Sequence, residues 1–237
     1  MKKVYIIIIV IVLMSLVIGG FFMLLQLMKD KNESMEFVNE RIKLPEPRYD
    51  SETSIEKALN KRRSIREYKN EPLTLTEVSQ LLWAAQGITD SERGFRTAPS
   101  AGALYPLEVY IVIGNVEGVT KGVYKYEPHE HELVKVRNGD TRDELTAAAL
   151  GQTCVGGGSI IIVFSAVYER TTQKYEDRGI RYVHMEVGHA AQNVYLQAVA
   201  LNLGTVTIGA FKDDEVRKIL NMPDEEHVFY IMPVGKI

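Results

Sequence analysis

Three stretches of the chain gather groups able to do chemistry. "KRRSIREY", residues 61–68, crowds four cations around a hydroxyl where a helix should end. Arg62, Arg63 and Arg66 can offer forked donors to a phosphate, and Ser64 adds another. In isolation such a cluster equally fits a solvated basic face. "RTAPSAGALYPLEVY", residues 96–110, sets small residues and a glycine between two prolines before a run of alternating apolar positions. Pro99, Ser100, Ala101, Gly102 and Ala103 thus leave a backbone bare enough to approach something flat or bulky. "QKYEDRGIRYVHMEVGHAAQN", residues 173–193, places Lys174, Tyr175, Arg178, Arg181 and Tyr182 at the entrance of a long helix. These residues fit a salt-bridged helix start with Glu176 and Asp177. If burial shifts either group, Lys174 beside Tyr175 also suits proton transfer.

Other chemistries find little support. "GGGS" at 156–159 lacks a following Gly-Lys-Ser/Thr and precedes a strand, so both nucleotide-loop templates fail. His184 and His189 are five apart and do not share a helix face as ligands at i and i+4 would, and nothing near His129 and His131 completes a site, so no metal is expected. No G-x-S-x-G elbow surrounds Ser100. The single cysteine, Cys154, sits among small residues and suits packing.

The elements that must position these groups follow from pattern and caps. A helix carrying Ile55, Ala58 and Leu59 on one face begins after Ser51, Thr53 or Ser54, and "LTLTEVSQLLWAAQG" is a second, capped near Thr74 or Thr76 and closed by Gly87. "LEVYIVIG" is a strand, "GVYKYEPHEHELVKVR" a hairpin expected at a sheet edge, "TRDELTAAALGQ" a helix, and "SIIIVFSAVY" a strand buried on both faces. Apolar positions at steps of three and four predict a helix from Arg181 to Leu203, running through the middle of the domain. "TVTIGAF" is a short strand, "KDDEVRKILNM" a helix and "HVFYIMPVG" a closing strand. Helices outnumber strands without regular alternation, which favours an α+β sandwich with helices on a mainly antiparallel or mixed sheet.

Ahead of that domain lies different material. Residues 4–28, "VYIIIIVIVLMSLVIGGFFMLLQLM", carry no charge and exceed the length needed to cross a hydrocarbon core, so residues 1–28 are expected to anchor the chain in a lipid bilayer as a single N-terminal pass. The run is longer than a signal-peptide core and lacks a small-residue cleavage site. Lys2 and Lys3 on one side face Lys29, Lys31, Arg41 and Lys43 on the other, which leaves the orientation open. Residues 29–50 are polar, hold two prolines and suit a tether, leaving 51–237 as the globular domain. Without Lys2 and Lys3 the chain has 26 basic against 31 acidic residues, a net −5 that argues against nucleic acid as partner. It also makes the patch at 61–68 harder to treat as incidental.

In order, "RRSIREY", "PSAGALYPLEVY", "KYEDRGIRYVHMEVGHAAQNVYLQAVALNLG", "TVTIGAF" and "MPVGK" resemble the nitroreductase superfamily, and within it the SagB-type dehydrogenase branch, over residues 54–237. The resemblance implies an FMN-binding homodimer of nitroreductase-like α+β fold with the flavin at the subunit interface. It implies that Arg62, Arg63, Ser64 and Arg66 hold the phosphate and ribityl chain or pyrimidine edge, with Lys236 as a further basic group. Pro99 to Ala103 then reach the flavin held mainly by the other subunit, and Thr207, Ile208, Gly209 and Ala210 lie along its ring, where a backbone N–H can meet N5. Ala103 stands where many nitroreductases have asparagine. Lys174 and Tyr175 match in order the pair that assists proton removal in azoline-oxidising members. The activity implied is two-electron transfer from a donor, NAD(P)H being the candidate, to a small organic acceptor such as a nitro compound or quinone. Oxidation of a peptide azoline is the alternative, and a non-catalytic flavin-binding or interaction module is the reading from another class.

Overall fold

The computed structural model describes residues 19–21, 23 and 40–237, in two units that divide at Glu40. Residues 19–21 and 23 are helical; the rest of the expected membrane span and residues 29–39 of the expected tether lie outside the described residues. Among the described residues no helix is long and apolar enough to cross a membrane.

Residues 41–237 build around one seven-stranded sheet in which every pairing is antiparallel. Its strands in chain order are β1 (Arg41–Lys43), β4 (Leu107–Ile113), β5 (Gly122–Glu127), β6 (Glu132–Asn138), β7 (Ile160–Ala166), β8 (Leu203–Thr205) and β9 (His227–Lys236), laid side by side as β1-β6-β5-β4-β7-β9-β8. A small separate ladder joins β2 (Ile88–Asp90) to β3 (Phe95–Arg96).

The helices lie on both faces. On one face are α2 (Leu75–Gln86) and α6 (Arg178–Ala200), with Val78, Leu81 and Leu82 of α2 and Val183, Val187, Ala190 and Val194 of α6 meeting Ile160, Ile162 and Phe164 of β7. On the other, α3 (Arg142–Ala148), α4 (Cys154–Gly157) and α7 (Asp213–Ile219) bring Leu145, Val155 and Val216 against Ile161 and Val163. Alternate β7 side chains therefore feed two cores, which is why its sequence is apolar from Ile160 to Phe164. The expected α+β sandwich is what these layers form.

Caps set the helix starts. α1 (Ile55–Lys61) begins at Ser54, whose Oγ accepts the Lys57 N–H at 3.2 Å. α2 begins at Thr74 with a reciprocal capping box to Glu77 and ends at Gly87. α5 (Glu169–Tyr175) leads into α6, whose second half is buried or half-buried at every position while its first half leaves Ile180, Arg181, His184 and Met185 exposed. The expected passage through the middle of the domain thus holds for the second half only.

Three expectations need correction. Residues 41–50 do not behave as tether, because Arg41–Lys43 pairs with Glu132–Val134. That pairing also covers β6, so the β5–β6 hairpin is not the sheet edge. The short strand expected at "TVTIGAF" lies earlier, at Leu203–Thr205; Thr207–Ala210 leaves the ladder after a single Ile208–Ile231 bridge.

Candidate active site

The arginine-rich stretch leaves α1 as an extended strip beside the sheet. Ile65 N–H donates to Thr205 O at 2.9 Å, and Lys69 N–H to Lys236 O at 2.9 Å. Gly204 permits this approach: a Cβ there would lie 2.7 Å from Ile65 Cγ2. The strip therefore brings residues 62–66 beside the start of segment 207–210, as the sequence motifs require if they serve one ligand.

Tyr195 of α6 ties the two together. Its hydroxyl lies 3.1 Å from Ser64 Oγ, accepts the Thr207 N–H at 2.8 Å, and has the Arg62 guanidinium 5.1 Å from its ring centroid. Nothing in the sequence singled it out, since a tyrosine in step with Val187, Ala191 and Val194 is indistinguishable from core. Arg63 turns back on the end of α1, donating to Asn60 O at 3.0 Å and Arg62 O at 2.8 Å. Arg66 is exposed and makes no hydrogen bond or ion pair with the described residues. A cavity of about 290 Å³ opens among Arg63, Ile65, Tyr195 and Thr205.

Within 207–210 the available donors narrow. The Thr207 amide is engaged by Tyr195, and the Ile208 amide donates to Ile231 O at 2.9 Å with its side chain buried. The Gly209 and Ala210 amides have no partner among the described residues and both residues are exposed. Ile208 is thus core, and the bare main chain is at 209–210. Lys236 stands apart from the other cations. Its Nζ pairs with Glu77 Oε1, and although burial pushes the Glu77 carboxyl up, the hydrogen bonds from Lys236 and Thr74 hold it below the usual range. That charge is already partnered, so the structure does not place Lys236 with the arginines as a free anion ligand.

The small-residue loop is a separate constellation. It is clamped at its start: Thr97 Oγ1 donates to Trp83 O and Ala84 O, Thr97 N–H donates to Gly87 O, and Asn193 Nδ2 of α6 donates to Thr97 O at 3.3 Å. Beyond Ser100 the chain turns left-handed at Gly102 (φ +66°), Ala103 (φ +54°) and Tyr105 (φ +46°). Gly102 packs on the Lys174–Tyr175 pair at the end of α5. A Cβ on Gly102 would lie 2.9 Å from Tyr175 Oη and 3.0 Å from Lys174 Nζ. The Lys174 ammonium is 5.4 Å from the Tyr175 ring centroid, and Tyr182 meets that ring edge-on at 5.1 Å. Two motifs more than seventy residues apart in sequence, the loop and the Lys-Tyr pair, are therefore brought into contact within one chain.

Behind this contact lies a buried carboxyl. Glu186 of α6 is 3% exposed, and burial pushes it up to about 7 against the opposing pull of the Ser100 hydroxyl and the Arg96 charge. Its Oε1 finds no partner among the described residues. Arg96 itself donates to Gln86 Oε1 at 2.9 Å and lies 4.5 Å over the Tyr105 ring. The sequence held a signal for Glu186 that went unused: an acidic residue in step with Val183, Val187 and Ala190, on the face that had to be buried.

The two constellations hang on one helix. Glu186 and Tyr195 are nine residues apart on α6, about 14 Å along its axis. Phosphate-type donors thus cluster toward one end, and the loop with its Lys-Tyr partner toward the other. Two of the four singled-out histidines are structural: His184 bonds Tyr168 Oη at 2.6 Å, and His131 bonds Ser79 Oγ, Tyr126 Oη and Pro45 O, while His129 and His189 are exposed.

Comparison with known proteins shows the family. The nitroreductase family model matches residues 59–236. MJ1384 of Methanocaldococcus jannaschii, assigned by name to the nitroreductases, is 54% identical over 185 residues, covering 78% of this chain and 92% of its own. The Escherichia coli microcin B17-processing protein McbC is 30% identical over 155 residues, covering 63% of this chain and 57% of its own. The E. coli microcin synthetase complex McbBCD, solved with truncated pro-MccB17 bound, matches with a TM-score of 0.66 at 26% identity, over 86% of this chain and 80% of the matched chain. Members of the family so matched are flavin-dependent oxidoreductases, and the arginine strip, the bare loop and the Lys-Tyr pair fall inside the matched span. The chain belongs to the nitroreductase family.

Proposed function

We propose that this protein is an FMN-dependent dehydrogenase of the SagB type that oxidises a peptide azoline ring to the azole. The observation that carries this reading is the seat of Lys174 Nζ and Tyr175 Oη at about 3 Å from the Cβ position of Gly102. Two heteroatoms able to take a proton stand beside a backbone cleared of side chains, where a flat ring can lie.

The residues present suit FMN. Arg66 is an exposed guanidinium without a partner among the described residues, Ser64 and Arg62 stand beside it on the same strip, and the amides of Gly209 and Ala210, likewise unpartnered there, are exposed without bulk: a Cβ on Gly209 would meet only Tyr230 Cε1, at 3.8 Å. Arg62, Arg63, Ser64 and Arg66 would bind the phosphate, while the 209–210 amides would orient the ring edge. Pro99 to Ala103 supply the wall on which ring systems stack, and, as the resemblance implies, the reading pairs the strip of one copy with the loop of another in a homodimer. Bound FMN would supply the two-electron acceptor, taking one substrate hydrogen with its electron pair. The chain's own part is the proton: as the second ring C–H breaks, Tyr175 or Lys174 receives it, and Tyr182 holds the Tyr175 ring in place.

A second reading is favoured by the long match to MJ1384: NAD(P)H-driven reduction of a nitro compound or quinone. Detergent-solubilised full-length protein decides between them. We expect a yellow protein that releases FMN and that is bleached anaerobically by a synthetic thiazoline peptide, which leaves two hydrogens lighter. Bleaching by NADH or NADPH with indifference to the peptide selects the second reading; a protein that stays colourless in excess FMN refutes both. The proposal includes residues 4–28 as a membrane anchor, which predicts that full-length protein sediments with membranes and that a chain starting at residue 40 does not.

A further inference from the structure

Lys174 and Tyr175 reach Gly102 from a short helix that the sheet fixes only at its root. Leu107 of β4 pairs with Ala166 of β7, and Val167 N–H donates to Pro106 O at 3.0 Å, so α5 sets out where the loop comes in. Lys174 lies about two helical turns beyond that point, where a small tilt of α5 would carry it off the loop. Arg170, one turn before Lys174, spans the gap. Its guanidinium donates to Tyr105 O at 3.2 Å and, through its other terminal nitrogen, to Glu108 of β4. One face of α5 therefore meets the turn at two places, Arg170 at residue 105 and Lys174 at residue 102. Tyr105 needs such holding, because its φ of +46° persists only where neighbours over-determine it. Ser100 Oγ accepts its N–H at 2.9 Å, and Arg170 donates to its carbonyl.

The arginine is itself aimed from behind. Glu108 pairs through Oε2 with Lys125 Nζ of β5 at 3.1 Å, and the same ammonium lies 3.3 Å from Glu226 Oε1. Glu226, buried just ahead of β9, accepts Tyr110 Oη at 3.0 Å and Ser165 Oγ at 2.6 Å. Charges alternate along the row Arg170, Glu108, Lys125, Glu226, and its inner end is bonded to β4 and β7. An exposed Arg–Glu pair contributes little to stability by itself. One whose carboxylate is pinned by a buried row has a fixed direction, and this one points at the turn. We propose that Arg170 is a positioning residue: by bridging Tyr105 O and Glu108 it holds α5 in register along the left-handed turn and so keeps Lys174 and Tyr175 at Gly102. This inference rests on the reading of the Lys-Tyr pair as the proton-accepting side.

The test uses full-length protein loaded with FMN, comparing wild type with Arg170→Ala and Arg137→Ala. Arg137 is the matched control, because it too joins a carbonyl to a carboxylate, donating to Ile219 O at 2.6 Å and to both Glu144 oxygens, but among α3 and α7. The first readout is the fluorine NMR resonance of 3-fluorotyrosine carried at Tyr175. We expect it to move in Arg170→Ala and to stay in place in Arg137→Ala. Added ethylguanidinium should restore it, since a side chain that is 43% exposed leaves a gap open to solvent. The second readout is thiazoline-peptide oxidation, where kcat should fall about tenfold in Arg170→Ala, with KM and FMN content near wild type, and recover with ethylguanidinium. A Tyr175 resonance unmoved in Arg170→Ala, or moved equally by Arg137→Ala, overturns the inference, and so does a moved resonance with an unchanged kcat. Should wild-type protein leave the peptide untouched, the dehydrogenase reading falls, and the fluorine resonance alone still decides whether Arg170 seats α5.

Discussion

Gly102→Ala separates two costs that usually arrive together. The first is conformational: at φ +66° an L-residue is strained by roughly 1–2 kcal/mol. Gly118 offers a matched control, because its φ is +70° and a Cβ there meets nothing within 4 Å. Gly118→Ala should therefore show the backbone cost alone, lowering Tm by roughly 2–8 °C for a domain of this size. The second cost is local. At Gly102 the new methyl would press on Tyr175 Oη at 2.9 Å and Lys174 Nζ at 3.0 Å, the far ends of side chains that yield by a few tenths of an ångström. Yielding is cheap in stability, so the two variants should melt within about 1 kcal/mol of each other. It is expensive in rate, since a misplacement of order 1 Å can cost about a hundredfold and a fraction of that about tenfold. The assay pairs thermal melts with the flavin absorbance ratio and with single-turnover bleaching by a thiazoline peptide. Gly118→Ala should keep the wild-type rate, and Gly102→Ala should lose about tenfold with full FMN content. A Gly102→Ala enzyme that bleaches at the wild-type rate would refute the placement of Lys174 and Tyr175 at the reacting position.

Arg66→Ala should weaken FMN binding by about 1.5–3 kcal/mol, on the order of tenfold to a hundredfold in Kd by equilibrium dialysis, because its guanidinium has no other partner among the described residues. Lys236→Ala should leave FMN affinity within twofold by the same measurement, since Lys236 is paired with Glu77, and should instead reduce thermal stability. Glu186, pushed up to about 7 from an unfolded value of 4.5, stays protonated in the native state while the unfolded chain ionises, so its own contribution to native stability is fully present below pH 4.5 and is lost as pH rises toward 7, by about 3 kcal/mol in all. Urea melts of Glu186→Gln should show that slope flattened; an identical slope would place the titration elsewhere.

Local signals carried most of the fold. Ser54 and Thr74 announce helix starts because a hydroxyl ahead of an amphipathic run has a backbone amide to satisfy, and both do so. β7 was legible from its unbroken apolar run. What escaped was set by partners remote in sequence. Arg41–Lys43 becomes strand only because β6 offers it an open edge, and the strand expected at "TVTIGAF" forms earlier because it is Leu203–Thr205 that pairs with Val234–Lys236 of β9, the later residues meeting β9 only at Ile208–Ile231. For the site, residue types that are unusual in themselves, clustered arginines and an alanine-glycine loop, were visible in the sequence. Tyr195 was not, since its partners are known only once it is packed, and Glu186 was marked only as an acidic residue falling on a face that had to be buried. Lys236 is the reverse case: its charge pairs with Glu77 at a helix start that chain order does not reveal.

The strand at Arg41–Lys43 has a practical consequence for anyone cutting the gene. It acts as a selvedge: with Val134, Leu133 and Glu132 stitched to it, that stretch of the β6 ribbon offers no free border to a passing strand of another molecule. A fragment begun at Ser51 would unpick that hem and should clump on concentration, whereas one begun at Glu40 keeps it and should stay monodisperse under light scattering.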